Sequence, residues 1–273
     1  IKINILKGDE LGDALIRLAD CARRTNNHEE VINATRSLIS SQPQHRLILN
    51  ALIWNAEALQ RTGKKAEAEK TYTLLIEKHP KAEERESAIR LLALMRGESD
   101  DIKGMVKWYS TLLKEYPRSN FAGEAHHHLG SSAFQSKDYK TAAIHLSQSR
   151  ELNGDRFFEE DSMQLMLCAY YQEDTEATLQ RINAYQAKGT GKVPSGEARI
   201  LLADIDLAKG NPEAAAKTYM TVAVILDDEN VTPKALEKAI LAYQRSGKTK
   251  EAADTLNRLR TKYPEYAQQL NRR

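Results

Sequence analysis

Cysteine is nearly absent from the chain. Cys21 and Cys168 are the only two, too few for a disulfide framework and at no zinc-ligand spacing. Proline (7) and glycine (13) are sparse, which excludes a proline-rich or glycine-rich low-complexity chain. Neither sign of charge dominates. Lys and Arg number 40 against 38 Asp and Glu, a net charge of +2, so no global field draws nucleic acid or an anionic membrane. No apolar run reaches membrane-spanning length, and no signal peptide is visible. The start at Ile1 fits an excised fragment or a processed chain, so the missing targeting segment says little about compartment. Alternating Val, Ile and Thr runs are almost lacking too, which argues against sheet. What is present is Ala, Leu, Glu, Lys and Gln in quantity, all good helix formers. With 273 residues, 41% hydrophobic and 29% charged, an all-α protein with a sizeable core is expected.

The chain repeats itself. The stretch LADCARRTNNHEEVINATRSLISSQP begins at Leu18, and NAEALQRTGKKAEAEKTYTLLIEKHP begins at Asn55. Equivalent positions are Leu18, Asn55, Leu92, Leu129, Leu165, Leu202 and Ala239, in steps of 37, 37, 37, 36, 37 and 37 residues. The next residue is usually small, as in Ala19, Ala56, Ala93, Gly130 and Ala203. A second mostly small site holds Ala68, Ala142, Ala215 and Ala252, and a bulky one four residues on holds Tyr72, Tyr109, Leu146, Ile182, Tyr219 and Leu256. Small residues let two helix backbones approach, and the bulky residue fills the gap towards the next repeat. Pro43, Pro80, Pro117 and Pro264 mark repeat ends, since proline cannot continue a helix. Gly63, Gly210 and Gly247, with Asn26 in the first repeat, suit left-handed caps between the two helices.

This pattern resembles the tetratricopeptide repeat family, through LGSSAFQSKDYKTAAIHL (129–146), AEALQRTGKKAEAEKTY (56–72) and LAYQRSGKTKEAADTL (241–256). The resemblance covers about residues 12–264. It departs from the family in its period of about 37 rather than 34 residues. The aromatic that opens the family's first helix is also replaced, by Leu15, Leu52, Ile89, His126, Ser162, Arg199 and Leu236. The resemblance implies one right-handed α-solenoid of about seven helix pairs over 1–273, with repeats at about 12–47, 48–84, 85–121, 122–158, 159–195, 196–232 and 233–266. The fifth repeat is the most degenerate. PEYAQQLNRR at the C-terminus suits the start of a short capping helix, and IKINILKGDELG at the N-terminus is too apolar for a free tail.

Candidate chemistry is thin. His126, His127 and His128 stand in a row, but consecutive helical side chains point about 100° apart and cannot share one metal. Glu124, His128 and His145 do not complete the three or four ligands of a zinc site. A metal-binding or enzymatic role at this cluster is therefore the weaker reading, with no metal or cofactor expected. GTGKV (189–193) lacks the first glycine, the hydroxyl residue and the preceding strand of a phosphate loop. Cys21 and Cys168 read as small buried packing residues. No nucleophile–base set stands out, and no enzyme is expected.

The resemblance implies instead a concave groove lined by first helices. The family's groove positions fall on Asp20, Arg23 and Arg24; Glu57, Gln60 and Arg61; Arg90; Glu124, His127, Phe134 and Gln135; Tyr170 and Tyr171; Glu197 and Asp204; and Gln244 and Arg245. His127 is expected to be exposed there. The family's carboxylate clamp would fall on Ile16, Asp20, Trp54, Ser87 and Leu91, which lack its Lys and Asn, so chaperone C-termini are disfavoured. Residues 112–142 are similar to repeats of bacterial cell-envelope members. The expected function is non-catalytic binding of a protein or peptide, with no nucleic acid and no membrane insertion. A spacer array in a larger protein is the alternative.

Overall fold

The computed structural model describes residues 7–188 and 192–270. Seven times along it, a helix ends on a residue with left-handed backbone: Asn26, Gly63, Asp100, Lys137, Glu173, Gly210 and Gly247, with φ between 55° and 83°. The steps between them are 37, 37, 37, 36, 37 and 37, the interval of the sequence repeat. The next amide reaches back five residues at each turn, as in Lys64 N–H to the Leu59 carbonyl (2.8 Å) and Asp138 N–H to the Ala133 carbonyl (2.9 Å). This is the six-to-one closure that satisfies the last carbonyls of a helix.

The turns come in two kinds. Where the left-handed residue is glycine, at 63, 210 and 247, the following Lys64, Asn211 and Lys248 make no side-chain cap. Where it is not, the following residue is Asn27, Asp101, Asp138 or Asp174. Each of these accepts an amide hydrogen bond in the first turn of the next helix. A left-handed L-residue costs about 1–2 kcal/mol, and such a cap contributes about 1 kcal/mol. The cap offsets the strain in the repeats that have no glycine.

The described chain divides into two compact units, 1–132 and 133–273. In the first, α1 (Asp9–Arg24) and α2 (His28–Ser41) form one pair, α3 (Ile48–Arg61) and α4 (Lys65–Lys78) a second, and α5 (Arg85–Glu98) and α6 (Ile102–Glu115) a third. The division falls within α7 (Ala122–Gln135). The second unit continues with α8 (Tyr139–Asn153), the pair α9 (Phe158–Tyr171) and α10 (Thr175–Ala187), then α11 (Lys192–Ala208) and α12 (Pro212–Ile225). It ends with α13 (Thr232–Arg245), α14 (Thr249–Lys262) and the short α15 (Pro264–Leu270). From α1 to α6, and again from α8 to α15, each helix packs on the one before it. That serial stacking of helix pairs is an all-α solenoid. Among the described residues there is no strand.

The repeat's small and bulky positions make the cores. Ala19, Ala56, Ala68, Ala93, Ala142, Ala203 and Ala215 are wholly buried. Beside them lie Tyr72 and Tyr109 in the first unit, and Leu146, Ile182 and Tyr219 in the second. Burying such large side chains contributes about 1.5–3 kcal/mol each. A bulkier residue at an alanine site would force the backbones apart.

At the ends, the Gln42 side-chain amide donates to the Gly8 carbonyl (2.7 Å). Gly12 sits against His45, where a Cβ would come within 2.4 Å of the ring. The rest of the N-terminal segment, residues 1–6, lies outside the described residues. So do residues 189–191, on which the phosphate-loop comparison falls, and 271–273.

Candidate functional site

The C-terminal ends of the first helices, where the left-handed turns begin, are the edges of a recurring cleft. Between the second and third repeats, Glu57, Gln60 and Arg61 of α3 face Leu91, Met95 and Glu98 of α5 across a cleft of about 470 Å³. Tyr72 rises into it from α4, and its hydroxyl donates to the Gln60 carbonyl oxygen Oε1 (3.0 Å). Burial, and after it the charge of Glu57, pushes that phenol far above its ordinary value. One repeat earlier the same register holds Arg23, Trp54, Ala58 and Arg61. There the Arg23 guanidinium lies 4.3 Å from the Trp54 ring centroid, a favourable cation–π distance. Arg61 lines both clefts.

The second unit repeats the arrangement with different chemistry. Tyr170 and Tyr171 of α9 face Asp204, Ile205 and Ala208 of α11 across a cleft of about 580 Å³. Both clefts are of ligand-pocket size. Asp204 is 10% exposed and accepts from Lys238 Nζ (2.7 and 2.9 Å). It also accepts from the Tyr219 hydroxyl (2.5 Å). Burial and these contacts raise the Tyr219 phenol steeply. The Tyr170 phenol is raised as well, by burial first and then by the charge of Asp204.

A single pair of positions changes its chemistry from cleft to cleft. It joins the first residues of a second helix to the last residues of the next first helix. In the second and third repeats the pair is Lys65 and Glu98, an ion pair at 3.0 Å. In the fourth and fifth it is Tyr139 and Tyr171, whose rings stack 4.8 Å apart at 25°. Phe134 packs edge-on against Tyr139 at 5.7 Å, and Tyr170 against Tyr171 at 5.6 Å. In the fifth and sixth it is Thr175 and Ala208, which carry neither a ring nor a charge.

The remaining groove positions divide by burial. Arg24 is exposed, pairs with Asp20 at 2.9 Å, and lines a cleft with Ile16, Leu47 and Trp54. Gln135, Gln244 and Arg245 are exposed. Arg90 is engaged within the protein: its guanidinium binds both carboxylate oxygens of Glu124 (2.7 and 2.8 Å) and lies 4.8 Å from the Phe121 ring. Glu124 is 2% exposed, and the Tyr109 hydroxyl also donates to it (3.3 Å). Glu197 is half-buried, and desolvation raises its carboxyl above the usual range.

Two expectations are corrected. His127 is 5% exposed rather than open to a partner. It packs edge-on against His128, whose ring stacks on Tyr109 at 5.1 Å. His127 is thus taken up by side-chain packing. Cys21 is exposed, whereas Cys168 is buried as expected, its thiol pushed up to about 11 by burial. Cys21 lines a cleft with Leu47, Asn50 and Trp54. His145 is half-buried and its imidazole is lowered by desolvation. Among the described residues, no group of three or more His, Cys, Asp or Glu is placed to hold a metal ion. No described helix is long and apolar enough to cross a membrane.

What sequence reasoning missed is the bridging pair, because Lys65, Tyr139 and Thr175 open second helices and lie outside the groove positions. The visible signal was the repeat register itself, which aligns Lys65 with Tyr139 and Thr175.

Comparison with known proteins agrees with this geometry. A family model for the tetratricopeptide repeat matches residues 51–82 and 234–266. No curated protein matches the chain. Among solved structures, the C-terminal part of a TPR repeat-containing protein from Cytophaga hutchinsonii is similar, with a TM-score of 0.64 at 13% identity, covering 91% of this chain and 95% of that one. A tetratricopeptide repeat protein from Parabacteroides merdae aligns with a TM-score of 0.52 at 16% identity, over 94% of this chain and 97% of that one. YrrB, described as a TPR protein with an unusual peptide-binding site, aligns with a TM-score of 0.54 at 14% identity, over 74% and 98%. At these identities the likeness is one of fold.

Proposed function

We propose that this chain, two stretches of which match the tetratricopeptide-repeat family model, is a non-catalytic scaffold that binds a protein or peptide along its first helices. The observation that carries this reading is the cleft that recurs at one register, lined by Arg23 and Trp54, by Glu57, Gln60 and Arg61, and by Tyr170, Tyr171 and Asp204. Neighbouring helices pack about 8–10 Å apart, and an extended chain advances about 3.3 Å per residue. Every third residue of an extended peptide therefore meets a new cleft within a unit. Arginine and tyrosine at the walls are the side chains that dominate binding energy at protein interfaces. YrrB, a fold neighbour, is described by its peptide-binding site.

The test is crosslinking with mass spectrometry in the native cell, followed by binding of the partner so identified. Changing Arg61, Tyr170 and Tyr171 to Ala together is expected to weaken binding about a hundredfold or more, as loss of interface hot spots does. Changing Thr221 and Thr261 on second helices leaves it unaltered. Binding untouched by the groove changes would support the spacer reading instead. The similarity of residues 112–142 to cell-envelope repeats favours a place in bacterial envelope assembly. Fractionation of the source cell tests that placement, and a cytosolic chain would refute it.

A further inference from the structure

The cleft between α9 and α11 differs from its neighbour at one telling position. In the fourth and fifth repeats the last-turn position is Tyr171, and its ring stacks on Tyr139 at 4.8 Å. One repeat later the equivalent position is Ala208, facing Thr175. No ring stands there, and the cleft has a volume of about 580 Å³. One wall is Tyr171 itself, 51% exposed. The other is Ile205 and Ala208, and Glu173 and Lys209, of opposite charge, also line it.

The charge state of the cleft narrows its occupant. Asp204 faces it but is already neutralised by Lys238 and accepts the Tyr219 hydroxyl. A cation entering the cleft would compete with an ammonium held at 2.7 Å and meet Lys209. An anion would meet the Asp204 and Glu173 carboxylates, so the lining, balanced in sign, favours neither. A neutral ring avoids both conflicts, and aromatic rings gain from offset or edge contacts with tyrosine beyond the area they bury.

We infer that the cleft between Tyr171 and Ala208 is a slot for a neutral aromatic side chain of the bound peptide, seated where Tyr171 sits one repeat earlier. This rests on the reading of the chain as a peptide-binding scaffold and adds which side chain the second unit selects. The slot also sets register. With one ring fixed there, the rest of an extended peptide is placed residue by residue along α9 and α11.

The experiment selects peptides from a random phage-displayed library on the full chain and measures their affinity by calorimetry. They are compared on the unaltered protein, on Ala208→Tyr, and on the double variant Thr175→Tyr with Ala208→Tyr. The double variant rebuilds the tyrosine stack of the neighbouring cleft. Ala208 and Thr175 are exposed, and thermal melting confirms that each variant is folded. Selected peptides are expected to share an aromatic residue. Replacing that residue by Ala, or closing the slot, weakens binding at least about tenfold, the loss of one interface anchor.

Peptides that photocrosslink to first helices yet bind Ala208→Tyr within twofold overturn the slot and leave the scaffold reading standing. So do peptides whose shared residue is Lys, Arg, Asp or Glu. Peptides that crosslink only to second helices, or a library that yields no binder, count against the scaffold reading itself.

Discussion

The cleft between the second and third repeats and the cleft between the fifth and sixth occupy one register in two units, and they share almost no chemistry. The first is walled by charged and amide groups, Glu57, Gln60 and Arg61, and crossed by the Lys65–Glu98 pair. The second is walled by two tyrosines, holds a neutralised aspartate, and has Thr175 and Ala208 at the positions of that pair. The backbone that builds both is the same: a left-handed turn, a buried alanine, and a large residue at the bulky site. A repeat fold separates the two tasks. Positions that face the neighbouring helix hold the stack together, and positions at the helix ends are free to change what the cleft accepts.

The comparison breaks most severely at Asp204. Asp204→Ala leaves Lys238 and the Tyr219 hydroxyl facing a mostly buried gap. Losing one member of a buried ion pair costs about 3–5 kcal/mol. Lys238 is 39% exposed, which reduces the figure to about 2–3 kcal/mol by solvent screening. Denaturant unfolding of the full chain measures it. In the first unit, Lys65→Ala removes an exposed ion pair and changes stability by less than about 0.5 kcal/mol.

Alkaline pH sharpens the same contrast. Tyr72 and Tyr219 both have phenols raised above their ordinary value of 10.0 by burial. In the unfolded chain they ionise first. Their contribution is therefore fully present below pH 10 and is lost as the pH rises through the folded values. The loss is up to about 1.4 kcal/mol per pH unit for each ring. Melting temperature followed from pH 9 to 11 is expected to fall. In Tyr219→Phe the alkaline limb becomes shallower by the share of one ring.

The turns give smaller effects of opposite sign. Asp101→Ala removes the hydrogen bond to the Gly104 amide (2.9 Å) and costs about 1 kcal/mol. Gly63→Ala places a Cβ on a backbone with φ of 74° and costs about 1–2 kcal/mol. Glu173→Gly, at φ of 59°, relieves that strain. It stabilises by up to about 1 kcal/mol, less the entropy of the added glycine. Thermal melts of the three variants check the signs.

Much of this was legible in the sequence. The 37-residue interval places the seven turns, and residue type alone marks Gly63, Gly210, Gly247 and Asn26 as left-handed caps. Asp100, Lys137 and Glu173 carry no such mark, because nothing in a Lys or Glu signals positive φ. The Asp that follows each of them is the local clue. The groove positions pointed to Tyr170, Tyr171, Arg61 and Asp204, all of which line clefts. They also pointed to His127, which packing removed from the surface, and to Arg90, which Glu124 holds. Helix periodicity says which direction a side chain leaves the axis. It does not say whether a neighbour's ring or carboxylate already occupies that direction.

The most direct test of the account is a crystal structure of the full chain with a selected peptide bound. The account predicts the peptide extended along the first helices of the second unit, with an aromatic ring between Tyr171 and Ala208 and the Asp204–Lys238 pair intact. A peptide lying on the second helices, over Ile144 or Val224, or one that places a charged side chain in that cleft, would contradict it.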